Sequence, residues 1–267
     1  MFLLGPLIKK RILMKLAEQV IGELRNIQAP KYPMYEKILS HAFDFNNPLF
    51  AEDKFSLKYL DLAENPEWFA NSLIANSCLE GYGSEQIWKF ADCLDNDNYA
   101  EKVRKHALDE SRHSTMFITA LELVFPNVLN TVDDDTKSKI AQMQPNYHKK
   151  SPPIQKVREE DRLFEIESIN ELIQVHITEI RALVLQYMVR KAFLKHSPNE
   201  NVARLMKISN SLITDEARHI NYSAEIFEHY ANKSKLNSEL FFFLFEQRMK
   251  DFNELTLMEI EREEIEL

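Results

Sequence analysis

The chain has 267 residues, 45% of them hydrophobic and 28% charged, with only four glycines. That composition belongs to a globular protein able to bury a sizeable core, and so little glycine speaks against a β-rich or dinucleotide-binding fold and for long helices. The net charge of −9 counts against nucleic acid as a primary partner.

The apolar start, Met1 to Ile8, is too short for a membrane span. The basic run Lys9-Lys10-Arg11 follows it, the reverse of a secretory signal. The segment reads as the start of a docked helix, with Met14 as an alternative start. Two shorter helices are expected near 7–27 and 34–44. Asn65-Pro66-Glu67 then supplies an N-cap, a proline at the first helical position and an early acid, opening a helix to about Leu94. Asp95 to Asn98 is a turn, and a helix follows from about Tyr99 to Phe125, closed by Pro126. Residues 126–158 carry Pro126, Pro145, Pro152, Pro153 and the acidic run Asp133 to Asp135, and read as a long crossover with one short helix. The next helix spans about Glu159 to Lys195. Ser197-Pro198-Asn199-Glu200 reads as a tight turn and capping box, leading into a helix from about Asn201 to Tyr230. A last helix, from about Lys235, ends in the acidic stretch Glu261 to Leu267. Strand alternation is absent throughout. The expected fold is all-α and a single domain over 1–267: two helical hairpins joined by one long connection, a core at about 66–230 flanked by N-terminal helices over about 7–62 and a C-terminal helix over about 235–264.

Cys78 and Cys93 fall on one helix, about 22 Å apart at 1.5 Å per residue, too far to bond to each other. They read as reduced thiols, and the chain as cytoplasmic.

Two strings carry the chemistry: Asp109-Glu110-Ser111-Arg112-His113 and Asp215-Glu216-Ala217-Arg218-His219, both D-E-x-R-H and 106 residues apart. Residues i and i+3 of a helix share a face, so each string aims a carboxylate and an imidazole at one point. Two such helices facing each other supply half or more of a dinuclear metal site, which then needs one Glu from each remaining helix. In an antiparallel hairpin, residues equally far from the turn lie at equal height. Glu80 is 30 residues before Glu110, with its midpoint at residue 95, inside the first turn. Glu179 is 37 residues before Glu216, with its midpoint between Ser197 and Pro198, inside the second. Glu179 sits among Leu172, Val175, Ala182 and Leu183, where a bare carboxylate is costly unless paired or bound to metal. Glu80 is flanked by Asn76, Ser77, Gly83 and Ser84, small residues able to line a cavity. Glu85 is its rival by height, but its neighbours Gly81, Tyr82, Trp88 and Lys89 make a poorer metal wall.

Asp109 and Asp215 could be surface acids. The better reading has each accept the outer N–H of a metal-facing histidine, with Arg112 and Arg218 holding the acids ionised. His176, one turn before Glu179, is an additional ligand, a base behind the ligands or a core histidine. The 17 phenylalanines, including Phe241-Phe242-Phe243, suit the core, a subunit interface or the wall of an apolar substrate pocket.

Over residues 66–230 the doubled string resembles the ferritin-like non-haem diiron oxidases and oxygenases. These include multicomponent monooxygenase hydroxylases, acyl-carrier-protein desaturases, ribonucleotide reductase small subunits, aldehyde-deformylating oxygenases and the p-aminobenzoate N-oxygenase type. The last two are nearest in size. The resemblance implies Glu80, Glu110, His113, Glu179, Glu216 and His219 as ligands to two iron ions cycling between Fe2+ and Fe3+. Manganese is the alternative metal, and Glu110 and Glu216 would be the bridging, catalytic pair. It implies O2 as co-substrate and a small organic substrate. The electron donor would be external, of ferredoxin, flavodoxin or reductase type, since the chain carries no flavin, haem or iron–sulfur motif. Phe117 stands where radical-forming relatives carry Tyr. Leu183 replaces the Thr of methane-type hydroxylases, and Leu212 the additional His of the N-oxygenase type. The competing expectations are a ferritin-type ferroxidase and a non-catalytic helical interaction protein. The apolar C-terminal helix suits a homodimer.

Overall fold

The structure is a computed structural model that describes residues 16–131, 133–142, 147, 149–262 and 265. Among them are ten α-helices and no strand, so the chain is all-α. The helices are α1 (Leu16–Asn26), α2 (Pro33–Phe45), α3 (Asp53–Leu62), α4 (Pro66–Cys93), α5 (Asp97–Val124), α6 (Val128–Thr131), α7 (Asp134–Gln142), α8 (Glu165–His196), α9 (Val202–Ala231) and α10 (Lys235–Arg262). No described helix is long and apolar enough to cross a membrane.

The capping residues set most boundaries. The Asn65 side-chain oxygen accepts from the N–H groups of Glu67 (2.9 Å) and Trp68 (3.4 Å), with Pro66 at the first position. Asn96 does the same for Asn98 (3.0 Å) and Tyr99 (3.1 Å), starting α5 two residues ahead of expectation. Four features differ from the sequence reading. Helix α3 was not foreseen: behind Asn46-Asn47-Pro48 it is held by Phe55 and Tyr59, one turn apart and fully buried. The crossover holds two short helices, α6 and α7, rather than one. Helix α8 begins at Glu165, not 159, because Glu167 accepts from the Phe164 N–H at 2.8 Å and caps the helix there. Residues Glu159–Asp161 form a separate 3-10 turn. The capping box at Ser197–Glu200 is not formed. The Ser197 N–H instead closes α8 on the Phe193 carbonyl at 3.0 Å. Asn201, without a side-chain cap bond to α9, donates to the Leu123 carbonyl at 2.8 Å. Of the helix expected near 7–27, the part before residue 16 lies outside the described residues.

Helices α4 and α5 form an antiparallel hairpin, with Ser77 donating to the Ser114 carbonyl at 2.8 Å and Arg104 pairing with Asp92 at 2.9 Å nearer the turn. Helices α8 and α9 form a second, with Arg190 donating to Ser209 at 2.9 Å and His176 bonded to Ser223 at 2.6 Å. The hairpins meet along α5 and α9. Helix α10 lies across α8 and α9, where Arg181 and Glu259 pair at 2.7 Å. Helix α2 reaches α9 through the Tyr35 N–H, which donates to Glu228 at 2.8 Å. An aromatic core joins these elements: Phe227 stacks on Phe241 at 4.7 Å, and Phe241 meets Phe245 edge-on at 5.9 Å. Within the Phe241–Phe243 run, Phe241 is buried and Phe243 exposed. Both cysteines lie on α4, and neither is in a disulfide.

Candidate metal centre

Seven side chains converge where the middles of the four long helices meet. Helix α4 contributes Glu80; α5 contributes His106, Glu110 and His113; α8 contributes Glu179; α9 contributes Glu216 and His219. All seven are buried, none more than 7% exposed. They include two groups able to hold a metal ion, His106–Glu110–Glu179–His219 and Glu80–Glu110–His113, each with donor atoms within 4.8 Å of one another. Glu110 belongs to both groups. Glu216 lies beside both motif histidines, 3.6 Å from His219 Nδ1 and 4.0 Å from His113 Nδ1.

The imidazoles share one orientation rule: one nitrogen faces the carboxylates and the other faces an anchoring group. His113 Nδ1 lies 3.4 Å from Glu110 and 3.7 Å from Glu80, while its Nε2 lies 3.4 Å from Asp215. His219 Nδ1 lies 3.1 Å from Glu179 and 3.4 Å from Glu110, while its Nε2 lies 3.4 Å from Asp109. The anchors are crossed: the acid of each D-E-x-R-H string meets the histidine of the other, because α5 and α9 face each other. Arg112 joins the two acids, at 2.8 Å from Asp109 and 2.7 Å from Asp215, and Arg218 pairs with Asp215 at 2.6 Å. His106 turns Nε2 toward Glu110 and Glu179, both at 3.2 Å, and binds the Tyr222 hydroxyl through Nδ1 at 2.8 Å. Its ring stacks on that of His219 at 3.7 Å.

His106 was not foreseen. The signal was available: it lies four residues before Glu110, so His106, Glu110 and His113 form one i, i+4, i+7 stripe. His176, for which three roles stood open, is a hydrogen-bonded core histidine outside both groups. Its Nε2 bonds the Tyr35 hydroxyl at 2.9 Å and its Nδ1 bonds Ser223 at 2.6 Å, and burial lowers its pKa to about 3. Of the two rivals on α4, Glu80 is in the cluster, and Glu85 is only partly buried and belongs to neither group.

The residues fit a pair of metal ions. Glu110 Oε1, Glu216 Oε1, His113 Nδ1 and His106 Nε2 are buried and close to one another, yet have no hydrogen-bond partner of acceptable geometry. These four atoms gather at one point, linked by separations of 3.2–4.0 Å, where a bound cation would satisfy them. Four carboxylates and three imidazoles are donors suited to iron or manganese.

Burial and the neighbouring charges shift the carboxyls and imidazoles of the cluster in different directions. Burial raises the Glu216 carboxyl to about 8, against the pull of His219 and His113. Burial and the neighbouring Glu110 raise Glu80 well above the usual carboxylate range. Burial also disfavours the charged form of Glu179, but His106 and His219 outweigh it and bring the pKa to about 2. Burial and the charge of His106 push His219 down, and its contacts with Asp109, Glu179 and Glu216 overcome both, holding it at about 10.

A cleft of about 550 Å³ between α4 and α8 reaches the carboxylate side of the cluster, with Glu80, Glu110, Glu179 and Glu216 in its wall. Leu79 and Tyr82 line it and are exposed, marking its mouth; Ile87, Phe90, Val175 and Ala182 give it apolar sides; Gln86, Gln174, Thr178 and Glu171 add polar groups. No Lys, Arg or His is among these described lining residues. Comparison with protein-family models, curated proteins and solved structures finds no match to this chain.

Proposed function

We propose that the chain is a non-haem diiron oxygenase or oxidase with a ferritin-like four-helix bundle, acting on a small organic molecule. The observation that carries this reading is the pair of buried donor groups sharing Glu110. Glu80, Glu110, His113, Glu179, Glu216, His219 and His106 would hold the metals; Glu110 belongs to both donor groups, whereas Glu216 lies beside both motif histidines and belongs to neither group. Two Fe(II) ions bound here would supply electrons for reducing O2 and the oxidising power for substrate attack.

The chain's own residues set the conditions for that chemistry. Asp215, Asp109 and Tyr222 each hold the outer nitrogen of one imidazole, which fixes the nitrogen presented to the centre. The carboxylates can change between one- and two-oxygen binding while offsetting the metal charge. Because they face the cleft and the imidazoles lie behind them, O2 and substrate approach from the α4–α8 side. Ile87, Phe90, Val175 and Ala182 exclude water around the substrate body. Gln174 and Thr178 offer hydrogen bonds to a polar group. With no basic side chain among its described lining residues, the cleft suits neutral or cationic molecules better than anionic ones. Electrons would come from an external donor. Hydroxylation, N-oxygenation or a related oxidation fits, natural-product tailoring included.

A ferroxidase would use the same donors, but a cleft of about 550 Å³ with apolar sides is more than an iron ion needs and favours an organic substrate. The test is oxygen consumption by reduced, iron-loaded protein against candidate amines, acyl chains and aldehydes. Acceleration by one class, with matching oxidised product, is the expected result. Iron oxidation indifferent to every organic addition would instead support the ferroxidase.

A further inference from the structure

The two D-E-x-R-H strings would form a centre with equivalent halves if their surroundings matched. Two of the differences between them bear on the centre. Four residues before the motif Glu, the first string has His106 and the second has Leu212, which is fully buried. Three residues after the motif His, the first has Met116 and the second has Tyr222. These two departures meet in space: His106 Nδ1 and the Tyr222 hydroxyl are 2.8 Å apart. One half of the centre therefore has two imidazoles and two carboxylates, from His106, His219, Glu110 and Glu179. The other group has a single imidazole, from Glu80, Glu110 and His113.

We infer that the two halves are unequal and fill in order, the His106–Glu110–Glu179–His219 half taking the first divalent ion. This rests on the dinuclear reading above and adds the determinant of its asymmetry. Imidazole donors suit iron, whereas a carboxylate-rich set suits manganese as well, so the second half is the one open to Mn(II). The nitrogen-rich half is also the better prepared. All three imidazoles have the outer nitrogen anchored, His113 by Asp215 and His106 and His219 by Tyr222 and Asp109, so this half holds two fixed rings, stacked at 3.7 Å, against one. Tyr222 acts here as a positioning residue through His106.

The test is an anaerobic titration of the metal-free chain with Fe(II) against a chromophoric chelator, with Mössbauer spectra at one and two equivalents. The parent should show two steps at least about tenfold apart and one iron environment at one equivalent. His106→Leu, which copies the residue at the equivalent position and keeps the site apolar, should weaken the first step and merge the two. Tyr222→Phe, which keeps the ring and removes only the anchor, should weaken the first step by about 10–100-fold and spare the second, as loss of an outer hydrogen bond to a ligand does. Asp215→Asn should act on the second step, through His113. Absence of stoichiometric iron in the parent would overturn the dinuclear reading itself. Two equal steps in the parent, or two unchanged steps in both His106→Leu and Tyr222→Phe, would overturn the ordered filling and leave the dinuclear reading standing.

Discussion

Around the level of the donor cluster the α4–α5 hairpin buries small and polar side chains, with its large apolar ones nearer the ends, whereas α8 buries large apolar side chains through its middle. Near the centre α4 and α5 bury Ser77, Gly81, Ser84, Ala107, Ser111 and Ser114, and farther out Phe69, Leu73, Trp88 and Phe117. Helix α8 instead buries Ile173, Ile177, Ile180 and Leu183, and α9 buries Ile220 and Phe227, with α2 and α10 packed over them. Small residues let α4 and α5 approach closely, but each buries little apolar area, about 25 cal/mol per Å². One hairpin is thus an apolar scaffold that holds Glu179, Glu216 and His219. The other carries Glu80, His106, Glu110 and His113 among small side chains and should depend more on what the centre binds.

The largest effect should come from cutting the scaffold. Phe227→Ala removes a fully buried ring and should cost about 3–5 kcal/mol in denaturant unfolding, with or without metal. An equal loss from Ser77→Ala would erase the contrast between the hairpins.

Metal loading should come next, stabilising by about 3–4 kcal/mol at 100–1,000 times the dissociation constant. Hydrogen exchange should slow most in α4 and α5. The pH dependence has opposite signs for the two forms. His219 is raised to about 10, so its contribution to metal-free stability is full below its unfolded pKa near 6.5 and fades as pH rises through 10. Glu216, raised to about 8, likewise favours the metal-free fold below its unfolded value and opposes it as pH climbs through 8. Glu179, lowered to about 2, contributes above about 4.5 and loses that contribution as pH falls through 2. Metal must displace the protons on His219 and Glu216, so iron affinity should rise from pH 6 to 8 while metal-free stability falls, with protons released on loading. Affinity that is flat over that range would contradict the proton assignment.

Overpacking the close hairpin comes third. Ser111→Leu adds volume at a fully buried position of α5 and removes the acceptor of the Tyr147 N–H, and should cost about 1–3 kcal/mol. The smallest effect is at a helix end: Asn65→Ala removes the α4 cap and should cost about 1 kcal/mol, read as a lower unfolding midpoint.

Much of this architecture was legible in the residues because local chemistry decides it. Asn65-Pro66 and the Asp95–Asn98 turn set the first hairpin, and equal distance from the turns selected Glu80 and Glu179. What depends on neighbours distant in sequence was not legible. The spacing that brings Glu110 and His113 together also separates His176 from Glu179. Tyr35, from α2, draws His176 away through a 2.9 Å bond, and nothing in the α8 sequence announces α2. The crossed pairing of Asp109 with His219 and Asp215 with His113 follows from how α5 faces α9, so neither string shows it alone. His106 was readable in principle, one turn before Glu110, but lies outside the repeated five residues that drew attention.

The most direct test of the central claim is iron per chain after anaerobic Fe(II) loading, in the parent and in Glu110→Ala and Glu216→Ala. A dinuclear centre predicts about two ions per chain in the parent and far fewer in both variants, with His176→Gln retaining the parent value. No stoichiometric iron, or binding indifferent to Glu110 and Glu216, would contradict it and leave the doubled string as structure alone.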